Sequence, residues 1–158
     1  MRYCPVLLIL LCFGKAVGGD KPIQLSFVTP FQLFNESTSI SGIRLNLIYG
    51  RNISVTGFDT GFINHNTGGV SKGFQSGFAG IIQSNFSGLQ SNAFNIVQGK
   101  AEGFQCGIMN YGRNVSGVQL GLVNYAEIMY GLQIGLINII RQDGAFPVFP
   151  LVNWSFHL

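Results

Sequence analysis

From Gly42 to Asn138 apolar and polar residues recur in one fixed order. Segments starting at Gly42, Gly57, Gly73, Gly88, Gly103, Gly117 and Gly131 read GIRLNLIY, GFDTGFIN, GFQSGFAG, GLQSNAFN, GFQCGIMN, GVQLGLVN and GLQIGLIN. The starts lie 15, 16, 15, 15, 14 and 14 residues apart, so seven copies fill residues 42–138. Self-similarity at a short fixed period is the signature of a stacked repeat architecture. Position one is always Gly, and position two is large and apolar (Ile43, Phe58, Phe74, Leu89, Phe104, Val118, Leu132). Position three is polar, with Gln75, Gln90, Gln105, Gln119 and Gln133 in five copies. Position five is Gly in five copies and Asn in two; positions six and seven are apolar; position eight is Asn in five.

This order predicts a strand of about eight residues. Positions two, four and six share one face at a period of two, and the Gly-Gln-Gly positions take the other. A helical period would mix the two sets, and each internal Gly would weaken a helix by about 1 kcal/mol. Asn at position eight suits a turn, because Asn tolerates left-handed backbone. The stretches Tyr111-Gly112-Arg113-Asn114 and Asn66-Thr67-Gly68-Gly69 have turn composition. The extra residue of the second copy falls in that Gly-Gly stretch.

Two all-β architectures place a strand every 15 residues. In a β-solenoid each copy is one coil, and equal positions stack about 4.8 Å apart. In an up-and-down outer-membrane barrel each copy is one strand and directions alternate. Every copy has the same motif polarity, which favours the solenoid. Alternation fails at position seven, whereas membrane strands keep it over about 9–11 residues. The barrel alternative rests on the Gly-Gln-Gly face and on the aromatic terminus Trp154-Ser155-Phe156. The expectation is a solenoid of about seven coils of 14–16 residues, residues 42–138, between an N-terminal cap, residues 19–41, and a C-terminal cap, residues 139–158. Caps protect open strand edges, and Pro147 and Pro150 suit an edge because proline donates no ladder bond.

The first 18 residues read as a signal peptide. Arg2 supplies a basic start, Pro5 to Phe13 an apolar run, and Ala16-Val17-Gly18 small residues at a cleavage point after Gly18. Cys12 raises lipidation as an alternative, though Leu11 before it is larger than a lipidation site usually has. The localisation expected is export, to the cell surface, the outer membrane or the medium. Cys4 and Cys12 lie in this leader, which leaves Cys106 alone in the mature chain, read as a small buried residue of the stack.

Charged residues are only 9% of the chain. Beyond Gly18 seven basic residues face six acidic ones, a balance of +1, too little for a nucleic-acid footprint. The partners left open are a ligand at the surface or on a host, or a membrane. His65 and His157 read as turn and tail residues. Asp59, Glu102, Glu127 and Asp143 share no position, so neither an acid–base pair nor a metal cluster is expected. The expectation is therefore no enzyme, no cofactor, and no catalytic or metal-ligating residue. Asn-x-Ser sequons at Asn35, Asn52, Asn85, Asn114 and Asn153 read as turn chemistry rather than modification sites.

The GVQLGLVN and GLQIGLIN blocks, the entry GIRLNLIYG and the exit FPVFPLVNWSF resemble the bacterial, leptospiral-type surface repeat-containing proteins with tandem GxQxGxxN repeats. The resemblance covers about residues 23–156. It departs at Gly80 and Asn92, which replace the usual Asn and Gly. It implies an exported, surface-located protein, and carries over no activity and no site residues. The function expected is a structural or binding scaffold; the alternative is an outer-membrane barrel or pore.

Overall fold

A computed structural model describes residues 19–156. The expected leader, residues 1–18 with Cys4 and Cys12, and His157 lie outside the described residues. The chain is a β-solenoid. Its strands are β1 (Lys21–Val28), β2 (Phe31–Gln32), β3 (Ile40–Asn52), β4 (Val55–Asn66), β5 (Val70–Ile82), β6 (Asn85–Gln142) and β7 (Val148–Ser155). They hydrogen-bond in the order β2-β1-β3-β4-β5-β6-β7. β6 is a continuous ribbon of four motif copies. Its Tyr111–Asn114 stretch is strand, with Gly112 buried, where the composition predicts a turn. A side chain there has no room, since a Cβ on Gly112 would run into Val115.

Register makes the stack parallel. Gly42 lies on Gly57, Gly57 on Gly73, and Gly73 on Gly88, and the flanking positions follow. Neighbouring strands of an up-and-down barrel run antiparallel, so that alternative is set aside. Within the segment expected as the N-terminal cap, β1 pairs in parallel with β3, Gln24 on Arg44, and so adds a coil. β2 and the Leu33 amide close its outer edge. At the other end β7 runs antiparallel across the last copy, Gly131 on Ser155.

The inside of the coil is polar where a globular core would be apolar. Four positions per coil point inward. Two are apolar or small: the residue two before the first Gly, as in Phe86, Ala101, Val115 and Met129, and the residue two after the Asn, as in Ile82, Val97, Ala126 and Ile140. The other two are the Gln of position three and the Asn of position eight, and Gln90, Gln119, Asn95 and Asn124 are all 0% exposed. The Asn expected at a turn is therefore interior strand. Positions two, four, six and seven point outward; the break in register between Asn46 and Tyr49 is the extra residue of the first copy, which sets Gly50 on Asn64.

Buried amides are tolerable only when paired, since an unpaired one costs about 1–3 kcal/mol. Here they pair with their own copies. Gln90 Nε2 donates to Gln75 Oε1 at 2.9 Å, and Gln105, Gln119 and Gln133 repeat the bond, each toward the preceding coil, at 2.8 Å. The Asn ladder runs the opposite way: Asn95 donates to Asn110, Asn110 to Asn124, and Asn124 to Asn138, at 2.7–2.8 Å. The second Nδ2–H of these Asn residues goes to the position-four carbonyl of the next coil, at Cys106, Leu120 and Ile134, which fixes the amide orientation.

Glycine makes these ladders possible. The seven position-one glycines have φ between 111° and 152°. A Cβ there would strike the carbonyl oxygen beneath, of Pro22 under Gly42 and of the preceding glycine under the other six. At position five a second obstacle is added: a Cβ on Gly107 would meet the Asn92 carbonyl oxygen beneath and also stand 2.8 Å from Asn95 Nδ2, in the space the Asn amide fills. Where an Asn occupies position five, a Gly stands in the column that Asn otherwise holds, Gly50 lying on Asn64 and Gly80 on Asn95. Asn46 fills the space over Gly50, and Asn92 the space over Gly80. Asn92 Nδ2 then donates to Asn95 Oδ1 at 2.7 Å. The departures at Gly80 and Asn92 are thus one exchange, and they leave the stack intact.

The Gln ladder ends in a charge at its N-terminal side. Gln75 Nε2 donates to Asp59 Oδ2 at 2.8 Å. Arg44, one coil earlier, grips the same carboxylate with Nε at 2.7 Å and Nη2 at 2.8 Å. Both residues are buried. Removing one partner of such a pair leaves an uncompensated buried charge, at about 3–5 kcal/mol. Arg44→Met is expected to lower unfolding stability by about that much in urea, whereas the double change Arg44→Gln with Asp59→Gln, which prolongs the neutral ladder, recovers most of the loss. Gly103→Ala, strained at its φ of 116°, is expected to cost more than about 2 kcal/mol in the same titration, against less than about 0.5 for Ser87→Ala on the surface.

Candidate functional site

The outward positions of the motif build one broad face. Positions one to eight of the seven copies carry two charged residues, Arg44 and Asp59, and both are turned inside. The face is therefore uncharged from the first coil to the last. Its large side chains stand in solvent: Phe62 is 52% exposed, Leu122 52%, Leu136 61% and, on β7, Leu151 67%. At about 3.3 Å per residue and about 4.8 Å per strand, the face measures roughly 17 Å by roughly 40 Å. That exceeds the largest apolar patch of an ordinary monomer, about 300–600 Å².

Relief on the face differs between its two halves. In the first half the rings stack: Phe58 on Phe74 with centroids 5.3 Å apart, and Phe62 on Phe78 at 4.9 Å and 5°. Between these columns position four is small and polar, Thr60 and Ser76, joined by a 3.1 Å hydroxyl bond. In the second half position four is large, at Leu120 and Ile134. A groove of about 490 Å³ opens over the position-five glycines, walled by Leu120, Leu122, Ile134 and Leu136 and closed by Leu151 and Val152 of β7. Cys106 lines this groove. It is free and half-exposed on the outer face, not buried in the stack as expected, because position four points outward.

Charged residues occupy the opposite side, between the copies. Arg51 pairs with Glu36 at 3.3 Å, Lys100 with Glu102 at 2.6 Å, and Arg113 with Glu127 at 3.2 Å, all in or near solvent. The Lys100 ammonium holds the Glu102 carboxyl below its usual range. Among the described residues no three His, Cys, Asp or Glu side chains gather as metal ligands. Asp59, the carboxylate nearest the repeat motif, is occupied by Arg44 and Gln75. Of the sequon residues, Asn52 and Asn153 are 0% exposed and engaged with backbone carbonyls, while Asn35, Asn85 and Asn114 are exposed. No described helix is long and apolar enough to cross a membrane.

His65 is more than a turn residue. It is half-buried, its Nδ1 lies 2.7 Å from the Tyr49 hydroxyl, and its carbonyl accepts from Arg44 at 3.2 Å. Spacing alone would have placed it in the coil wall, since it follows Asn64 directly.

Comparison with family models, curated proteins and solved structures finds no match to this chain.

Burial first, then the positive charges of Arg51 and Arg44, hold the His65 pKa below its ordinary value of 6.5. The unfolded chain therefore binds this proton more readily than the folded one, so stability is complete above the unfolded pKa and declines as pH falls below it. The melting temperature is expected to drop on acidification below about pH 6.5, and His65→Gln should flatten that part of the profile. An unchanged slope in the variant would assign the effect elsewhere.

Proposed function

We propose that this chain is an exported, surface-located repeat protein of the surface repeat-containing kind, acting as a non-catalytic scaffold that presents its apolar face to a partner. One observation carries the reading: the outer face is uncharged and apolar along the whole stack, while the buried ionisable groups are committed to one another. Repeat arrays offer such extended surfaces for binding. A face kept apolar over seven copies points to an interaction, because folding alone places no demand on outward positions.

The same face favours a second reading, attachment to a membrane. Its aliphatic and aromatic side chains, free of charge, would lie against lipid, with the charged side turned to water.

The two are separated in the cell. Fractionation and labelling of intact cells with a membrane-impermeant amine reagent are expected to find the protein outside the cytoplasm, with its chain beginning at Gly19. Recovery wholly from the cytoplasm with residues 1–18 attached would overturn the export reading. Release of the protein by high pH, without detergent, would favour the scaffold over the membrane reading.

A further inference from the structure

We infer that the apolar face is covered by a second copy of this chain, in a face-to-face dimer with the two stacks antiparallel. Area supports this first. A footprint of roughly 17 Å by roughly 40 Å on each copy is about 700 Å², or about 1,400 Å² for the pair, within the range of stable protein interfaces. With no charge on the face, nothing ionic is desolvated on closure.

Shape selects the arrangement. The stacked Phe62 and Phe78 form a ridge on one side of the fifth row, and the groove of about 490 Å³ lies on the other. That middle row carries small residues, Ser91 and Ala93. A two-fold axis through it, lying in the face and along the strands, lays the rows that carry the ridge over the rows that carry the groove, with Phe62 opposite Leu122 of the groove wall. Leu120 then faces Thr60, so a large side chain of position four meets a small one. Aligning the stacks in the same direction would instead set each row on its own counterpart, the Leu120 and Ile134 rows of one copy against the same rows of the other. Flat sheets pack about 10 Å apart, which gives room for one interdigitated layer. The inference rests on surface shape and composition, and holds wherever the protein resides.

Sedimentation of the purified protein in detergent-free buffer tests it. The expected result is a mass of two chains, and Phe62→Arg in the ridge or Leu136→Arg in the groove should each weaken association by at least about a hundredfold, with the far-ultraviolet dichroism of the parent. Should both arginine variants fail to fold, Ser76→Cys supplies an independent readout. On a chain that also carries Cys106→Ser, mixed with the parent and both starting at Gly19, its thiol faces the parent's Cys106, so a bismaleimide spanning about 10 Å should give a covalent dimer that the parent does not give alone. A monomeric parent overturns the inference, as does a dimer indifferent to both arginines. Equal cross-linking of the parent alone and of the mixture overturns the antiparallel arrangement. A monomer that co-sediments with neutral phosphatidylcholine vesicles assigns the face to lipid instead.

Discussion

Hydrogen bonding between like amides in successive coils is the constraint from which the rest of this structure follows. A coil of about 15 residues encloses too little volume for a layered hydrophobic core. The interior is instead a pair of polar ladders flanked by two apolar columns. Each amide bond is worth about 1 kcal/mol net, but the alternative is a buried amide with no partner, and that asymmetry locks the register. A slip of one residue would break every rung at once. The Gln rungs donate toward the N-terminus and the Asn rungs toward the C-terminus, so the aligned amide dipoles oppose one another.

Glycine and charge serve this arrangement in different ways. Position-one glycines allow backbones to approach where a Cβ would meet a carbonyl, and position-five glycines do the same while also vacating the space that the Asn amide occupies. Asn46 with Gly50, and Asn92 with Gly80, show that the space, rather than the residue number, is conserved from coil to coil: one side of it must supply the amide and the other must yield. The first coils differ from the later ones. Arg44, Asp59, Asn52, Asn66 and Ser71 make their interior a polar network, and the apolar cluster begins only at Ile82. Arg44 and Asp59 close the Gln ladder at this end. Gln133 Oε1 leaves it open at the other, with no partner among the described residues, since Asn153 on β7 turns its amide to the Phe146 carbonyl.

Much of the fold is legible in the motif. Period-two alternation, the identical polarity of every copy and the glycine positions lead to a parallel stack of coils. What the motif leaves open is which face is the inside, and what it misplaces is the Asn of position eight, read as a turn residue. Gln and Asn look like surface and turn residues one copy at a time, and their pairing appears only when copies are laid on one another. Cys106 and His65 follow the same rule. Position four points outward, so Cys106 lines the outer groove, and His65, one residue past Asn64, sits in the wall of the coil. The apolar face is visible as columns two, four, six and seven. Its ridge and groove are not, because they depend on small differences in side-chain size between rows that only stacking brings together.

The two ladders have a consequence for how such a molecule changes length. Because each rung is the same amide-to-amide bond, deleting the coil from Gly103 to Ser116 rejoins a donor to an acceptor on both ladders and leaves the Arg44–Asp59 terminus and the β7 lid untouched. The stack can therefore lengthen or shorten in single steps of about 4.8 Å, by duplication or loss of a 14- or 15-residue unit, without redesign of its interior. In that sense the protein is a ruler whose marks are interchangeable and whose two ends are not.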